Sequence, residues 1–303
     1  MALSPIGILS GAGAGGFVAS CYFVSGRTTT SIEKVAFPSD TFSTTAATTP
    51  QIHYYVAGVS NSAVAGYSMG GRTTALQQNT LIYKLTFAGE SVSTLAAALA
   101  TAVQRNTGMS NPGTAGYAAA GNNGTATVTT VSKLAFPAET VSTTTSLATA
   151  REYAGGFSNF AVAGYIAGGR NNLSSIEKFA FPADTRSTLV ATLSVVRNDT
   201  CGFSNSGTAG YVAGGDSGGG TYLSSVDKIA LPGDTRTTLG TGLSAVNNWH
   251  GAMAGKNQAG YVGGSRDINT FLNKFAFPSD TRSVGALNIA RGDQEAGYAN
   301  EIV

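Results

Sequence analysis

Six lysines occupy one recurring position, Lys34, Lys84, Lys133, Lys178, Lys228 and Lys274, and each is followed six residues later by a carboxylate: Asp40, Glu90, Glu139, Asp184, Asp234 and Asp280. A cation and an anion at fixed spacing can build a ring of charge that binds a ligand, or a repeated structural pair. The repetition favours the structural pair, because an active site is rarely six-fold. On that reading the acid holds N–H groups of its own turn, and the lysine neutralises it within or between units for about 0–1 kcal/mol each. Groups that break the repeat are fewer. His53 and His250 are the only histidines, in corresponding parts of two units, with no cysteine or carboxylate at metal-ligand spacing. Cys21 and Cys201 stand 180 residues apart and form neither a disulfide framework nor a metal knuckle. Glu152, Asp199 and Asp293 each closely follow an arginine, which reads as charge balancing. No catalytic residue, metal or cofactor is expected from these groups.

Specificity is better placed on variable loops, which can change without disturbing a rigid scaffold. The candidates are Arg72, Gln77 and Gln78 in the loop 72–80, Asp216 and Tyr222 in the loop 216–223, and the single tryptophan Trp249 beside His250. A sugar could stack on Trp249, although burial between blades is the favoured account of such a residue.

The elements that must position these groups follow from composition and period. Only 11% of the 303 residues are charged, against about a quarter in ordinary domains, and forty are glycine. The net charge of +2 comes without a basic run, which argues against nucleic-acid and anionic-membrane partners. The first ten residues are apolar but lack a basic n-region, so no signal peptide is expected, and no apolar stretch nears the ~18 residues of a membrane span. The recurring lysines lie 50, 49, 45, 50 and 46 residues apart. A second marker, Ala-Gly-Tyr-x-x-Gly-Gly or a variant, places Tyr22, Tyr67, Tyr117, Tyr165, Tyr211 and Tyr261 each 12 to 17 residues before its lysine. Six equivalent tyrosines are expected to pack between sheets, each hydroxyl with a partner.

Each unit reads as four short strands. In the fifth these are 201–205, 209–213 ended by Gly214-Gly215, 225–231 stopped by Pro232, and a short strand near 237–239. Four strands in ~48 residues mark a propeller blade. The expected fold is an all-β, six-bladed propeller of four-stranded antiparallel blades over 13–303, preceded by an apolar arm, 1–12. Because 297–300 matches a first strand while 16–22 leads into a second, one strand from each terminus is expected to complete a single blade and remove two open edges.

The unit resembles a kelch repeat. The arginine preceding its first strand is matched at Arg105, Arg151, Arg197 and Arg291, its glycine pair at Gly70-Gly71, Gly168-Gly169, Gly214-Gly215 and Gly263-Gly264, and its third-strand aromatic at Phe37, Phe87, Phe136, Phe181 and Phe277. The fourth-strand tryptophan usual in that family is absent, with Thr44, Leu95 and Leu189 in its place. Neither the Tyr/His/Cys set of kelch copper oxidases nor the convergent arginines of a sialidase is recognisable. Near-identical, charge-poor blades of this kind are similar to propeller proteins of marine and cyanobacterial phage virions. That resemblance implies a non-enzymatic virion structural or adhesion protein, a tail fibre or surface component. Its arm would dock on other virion proteins within a larger assembly, while the ring meets a host-surface glycan or protein. The competing expectation is a cellular kelch-like scaffold or glycan-binding lectin.

Overall fold

The computed structural model describes residues 20–75, 77–171, 173–248, 250–264, 270–288 and 296–300, the last as backbone alone. The described secondary structure is all β, and six four-stranded antiparallel sheets form the blades of a propeller. Blade 5 comprises Cys201–Asn205, Ala209–Ala213, Val226–Ala230 and Thr235–Thr238, from the inner strand a to the outer strand d. Strand d thus starts at Thr235, directly after the Pro232 turn and earlier than the sequence suggests. Blades 2, 3, 4 and 6 begin with inner strands Ala57–Asn61, Thr107–Asn111, Gly155–Asn159 and Gly251–Gly255. A two-stranded ribbon, His53–Tyr54 with Arg72–Thr73, is added to blade 2.

Blade 1 joins the two ends of the chain. Its strands, in order, are Ala296–Asn300, Ser20–Val24, Ser31–Ala36 and Thr41–Thr48, so the last strand of the chain pairs antiparallel with the first. The ring is therefore closed as the sequence implies. The arm, 1–12, lies outside the described residues.

Antiparallel order sorts the connections onto two faces. The a–b and c–d turns lie on one, here called the turn face; the b–c loops and the blade-to-blade connections lie on the other, the loop face. Inner strands crowd the axis. A Cβ added to Gly156 would stand 2.3 Å from the Gly108 carbonyl oxygen, and one on Gly202 2.4 Å from that of Gly156, so only glycine permits this approach. Along the turn face, Asn61, Asn111, Asn159 and Asn205 each accept a turn N–H from the next blade, at 2.8–3.1 Å.

The core lies between blades. The strand b tyrosines Tyr22, Tyr67, Tyr117 and Tyr211 stack on Phe87, Phe136, Phe181 and Phe277 of the following blade, with centroids 5.2–5.5 Å apart. Tyr261 meets Phe37 of blade 1 at 5.7 Å and so carries the pattern across the closure. Blade 5 has Leu231 where the others have Phe, and Tyr165 instead stacks on Phe157 of its own blade at 4.8 Å.

The lysine–acid pairs likewise run from one blade to the next. Lys34 meets Glu90, Lys84 Glu139, Lys133 Asp184, Lys178 Asp234 and Lys228 Asp280 at 2.5–2.6 Å, and Lys274 closes the circle on Asp40. The partner is thus never the acid six residues on, because the c–d turn carries that acid away toward the preceding blade. The same carboxylates accept the hydroxyls of Tyr22, Tyr67, Tyr117, Tyr165, Tyr211 and Tyr261, the last reaching Asp40 at 2.5 Å. Each lysine ammonium also sits 5.5–6.0 Å from the ring centroid of its blade's tyrosine. All six acids adopt left-handed φ of 47–57°, a conformation that costs an L-residue about 1–2 kcal/mol. Their three-way contact with tyrosine and lysine offsets that cost.

Among the described residues two ion pairs are wholly buried. Arg151 binds Glu177 at 2.7 Å and Arg197 binds Asp227 at 3.2 Å, every one of these side chains at most 1% exposed. The carboxylates also hold the incoming connection, Glu177 through the Ala148 N–H and Asp227 through the Ser194 N–H. Arg151→Met leaves Glu177 charged and buried, and is expected to cost about 3 kcal/mol or more in urea unfolding. The double variant Arg151→Met/Glu177→Leu should recover most of that loss; a single variant as stable as the parent would show that the pair carries no weight.

Candidate functional site

The departures from six-fold regularity gather on the loop face around the mouth of the axial channel. Two residues before the inner strands of blades 2–5 stand Tyr55, Arg105, Tyr153 and Asp199, all left-handed with φ of 57, 60, 59 and 52°. Four bulky or charged residues in a conformation that favours glycine mark a position whose side chains are used. Their backbones link around the mouth, the Arg105 N–H donating to the Tyr55 carbonyl at 2.8 Å and the Tyr153 N–H to the Arg105 carbonyl at 3.0 Å.

The side chains extend this into a strip across blades 2–4. The Arg105 guanidinium lies 4.9 Å from the Tyr153 ring centroid and 5.8 Å from that of Tyr55. Tyr54 continues the strip, 4.9 Å from Tyr55, with the Arg72 guanidinium 5.8 Å from its own ring. At the other end Glu152 receives Arg105 at 3.1 Å and Arg170 at 3.0 Å. Burial holds the Tyr153 phenol well above its ordinary pKa; Arg105 pulls it back, and the Asp199 and Glu152 carboxylates push it further up. Tyr153 is therefore a neutral hydroxyl beside fixed cations.

This geometry corrects two expectations. Arg105 is not equivalent to Arg151 and Arg197: it precedes its inner strand by two residues, whereas they precede theirs by four. Glu152 does not balance its neighbour Arg151, which pairs with Glu177, but serves Arg105 and Arg170. The matching Arg291, and Asp293, lie outside the described residues.

Of the loop candidates among the described residues, only Arg72 belongs to the strip. Gln77 is exposed on the adjoining loop, and Gln78 donates to the Asn123 carbonyl of blade 3 at 3.2 Å. Asp216 accepts the Gly218 N–H at 2.7 Å, shaping the blade 5 loop that also carries half-buried Tyr222. Trp249 lies outside the described residues. Sequence reasoning did not single out Tyr54, Tyr55, Tyr153 or Arg170, because their positions differ in residue type from unit to unit and so carry no repeat signal.

The histidines are also not equivalent, His53 standing four residues and His250 one residue before an inner strand. His53 bonds the Gly70 carbonyl through Nε2, as Arg151 bonds Gly168 and Arg197 Gly214, and its ring packs edge-on against Tyr83 at 4.7 Å. His250 lines the loop-face end of the channel, a chamber of about 70 Å³, and lies 6.2 Å from Phe271. Burial lowers the pKa of His53 to about 4 and of His250 to about 3. Both cysteines are buried and form no disulfide among the described residues, and burial pushes the Cys201 thiol up to about 12, far from a reactive thiolate. Among the described residues no three His, Cys, Asp or Glu side chains cluster as a metal site.

No protein-family model matches the chain, and no curated protein matches it.

Proposed function

We propose that the chain is a non-enzymatic structural and adhesion protein of a virion, a kelch-like ring that holds one face to its assembly and turns the other toward a surface to be recognised. The observation that carries this reading is the division of the two faces. Ser20, where the described chain enters the ring, begins a strand b and so lies on the turn face, where asparagine latches and ionic clasps repeat from blade to blade. The loop face opposite carries the variable loops and the Arg–Tyr strip. This division supports a reading in which the segment preceding Ser20 docks on other virion proteins while the loop face is left to recognition.

Immunogold electron microscopy of purified particles, using an antibody against the ring, tests this. Labelled particles are expected, and label should be lost when residues 1–10 are deleted although the ring still folds. Label confined to cell fractions, together with a defined protein or glycan ligand there, would instead establish a cellular scaffold or lectin.

A further inference from the structure

We infer that the Arg–Tyr strip at the loop-face mouth binds an acidic saccharide, its guanidinium groups taking a sugar-ring carboxylate. This rests on the adhesion reading and adds the chemical class of the ligand. Arg105 and Arg170 share a single carboxylate, Glu152, and with Arg72 over Tyr54 the strip stays cationic when Asp199 near Tyr153 is also counted. That excess stands out in a chain where six lysines and six acids neutralise one another between blades.

The guanidinium donors are under-used. Among the described residues Arg105 and Arg170 each direct one terminal nitrogen to Glu152, and Arg72 makes no ion pair. The Nε atoms of Arg72 and Arg105 are buried and lack a hydrogen-bond partner. Arg105 keeps 22% of its side chain exposed and Arg72 is half-buried, so their terminal nitrogens are reachable by an incoming anion. Stacking on Tyr54, Tyr55 and Tyr153 fixes the planes of Arg72 and Arg105, which lowers the ordering cost when a carboxylate docks. Arg170, 56% exposed and bonded to Glu152, presents its remaining donors at the rim of the strip.

The surroundings favour a sugar over a polyphosphate. The loops beside the strip offer uncharged amides and hydroxyls, among them Gln77, Gln78, Asn123 and Thr127, groups that pair with saccharide hydroxyls. Gripping a nucleic-acid backbone needs a longer run of cations than three arginines supply.

Isothermal titration with a galacturonate oligomer, its carboxyl-reduced counterpart and a single-stranded DNA of equal charge tests the inference. The galacturonate oligomer is expected to bind and the reduced one not. Arg72→Gln and Arg170→Gln should each weaken binding about tenfold, the scale of one charge-assisted hydrogen bond, while Lys256→Gln on the turn face should leave it unchanged. Arg170 is exposed, so its variant folds even where the Arg72 variant is perturbed. Absence of galacturonate binding, equal binding of the reduced oligomer, preference for DNA, or indifference to both arginine variants would overturn the inference. Particle labelling by the antibody is unaffected by any of these results, so the two readings fail separately.

Discussion

Deleting residues 296–303 is expected to lower the melting temperature by on the order of 10 °C or more, a loss of several kcal/mol for a domain of this size. The deletion removes the inner strand of blade 1 and with it all five pairings from Ser20↔Asn300 to Val24↔Ala296. Ser20–Val24, buried at every position, would become an open inner edge facing water. Removing only the polar clasp across the same junction, by Lys274→Met, should cost far less, because that pair is a quarter to a third exposed. A synthetic peptide of residues 291–303 should restore part of the lost melting temperature when added in trans, which identifies the defect as a missing strand. A truncated chain that melts within a degree or two of the parent would exclude closure by this strand.

Acid is expected to destabilise the ring well before ordinary carboxylates titrate. An unfolded histidine takes up its proton near pH 6.5, whereas His53 and His250 resist protonation until about pH 4 and about pH 3 in the folded protein. The unfolded state therefore binds more protons throughout that interval. The contribution of the neutral histidines is complete above pH 6.5 and is lost as pH falls toward their folded values. Each adds a slope of about 1.4 kcal/mol per pH unit, or about 2.7 for the two together. Urea midpoints at pH 7, 6 and 5 measure this directly. His250→Asn should roughly halve the slope, since Asn106 occupies the equivalent place in blade 3 and bonds the Met69 carbonyl there. A stability unchanged between pH 7 and 5 would mean that these histidines are not buried as described.

The blades could be read from the sequence because each is a local pattern. Glycine pairs end strand b and proline ends strand c, although burial along strand c does not simply alternate, Glu177 being as buried as Ile176 and Phe179. Which blade a side chain meets is a different kind of information. Lys178 lies six residues from Asp184 in sequence, yet it bonds Asp234 because the stagger between neighbouring sheets decides the partner. The same limit hid the Arg–Tyr strip. Arg72, Tyr55, Arg105 and Tyr153 belong to three repeats and come together only when the inner strands converge on the axis, while a two-residue offset let Arg105 pass as the counterpart of Arg151.

The clasp between blades has a directional grammar. Every unit presents a donor half, its tyrosine and lysine, to the unit ahead, and an acceptor half, its acid, to the unit behind. A duplicated segment therefore carries both halves of a working joint and can be inserted between any two neighbours without inventing a new contact. Side-chain chemistry at the joint does not count to six; the angle between successive sheets does. The ring can thus be viewed as a short polymer of one monomer type, ended by the single blade whose strands come from both ends of the chain.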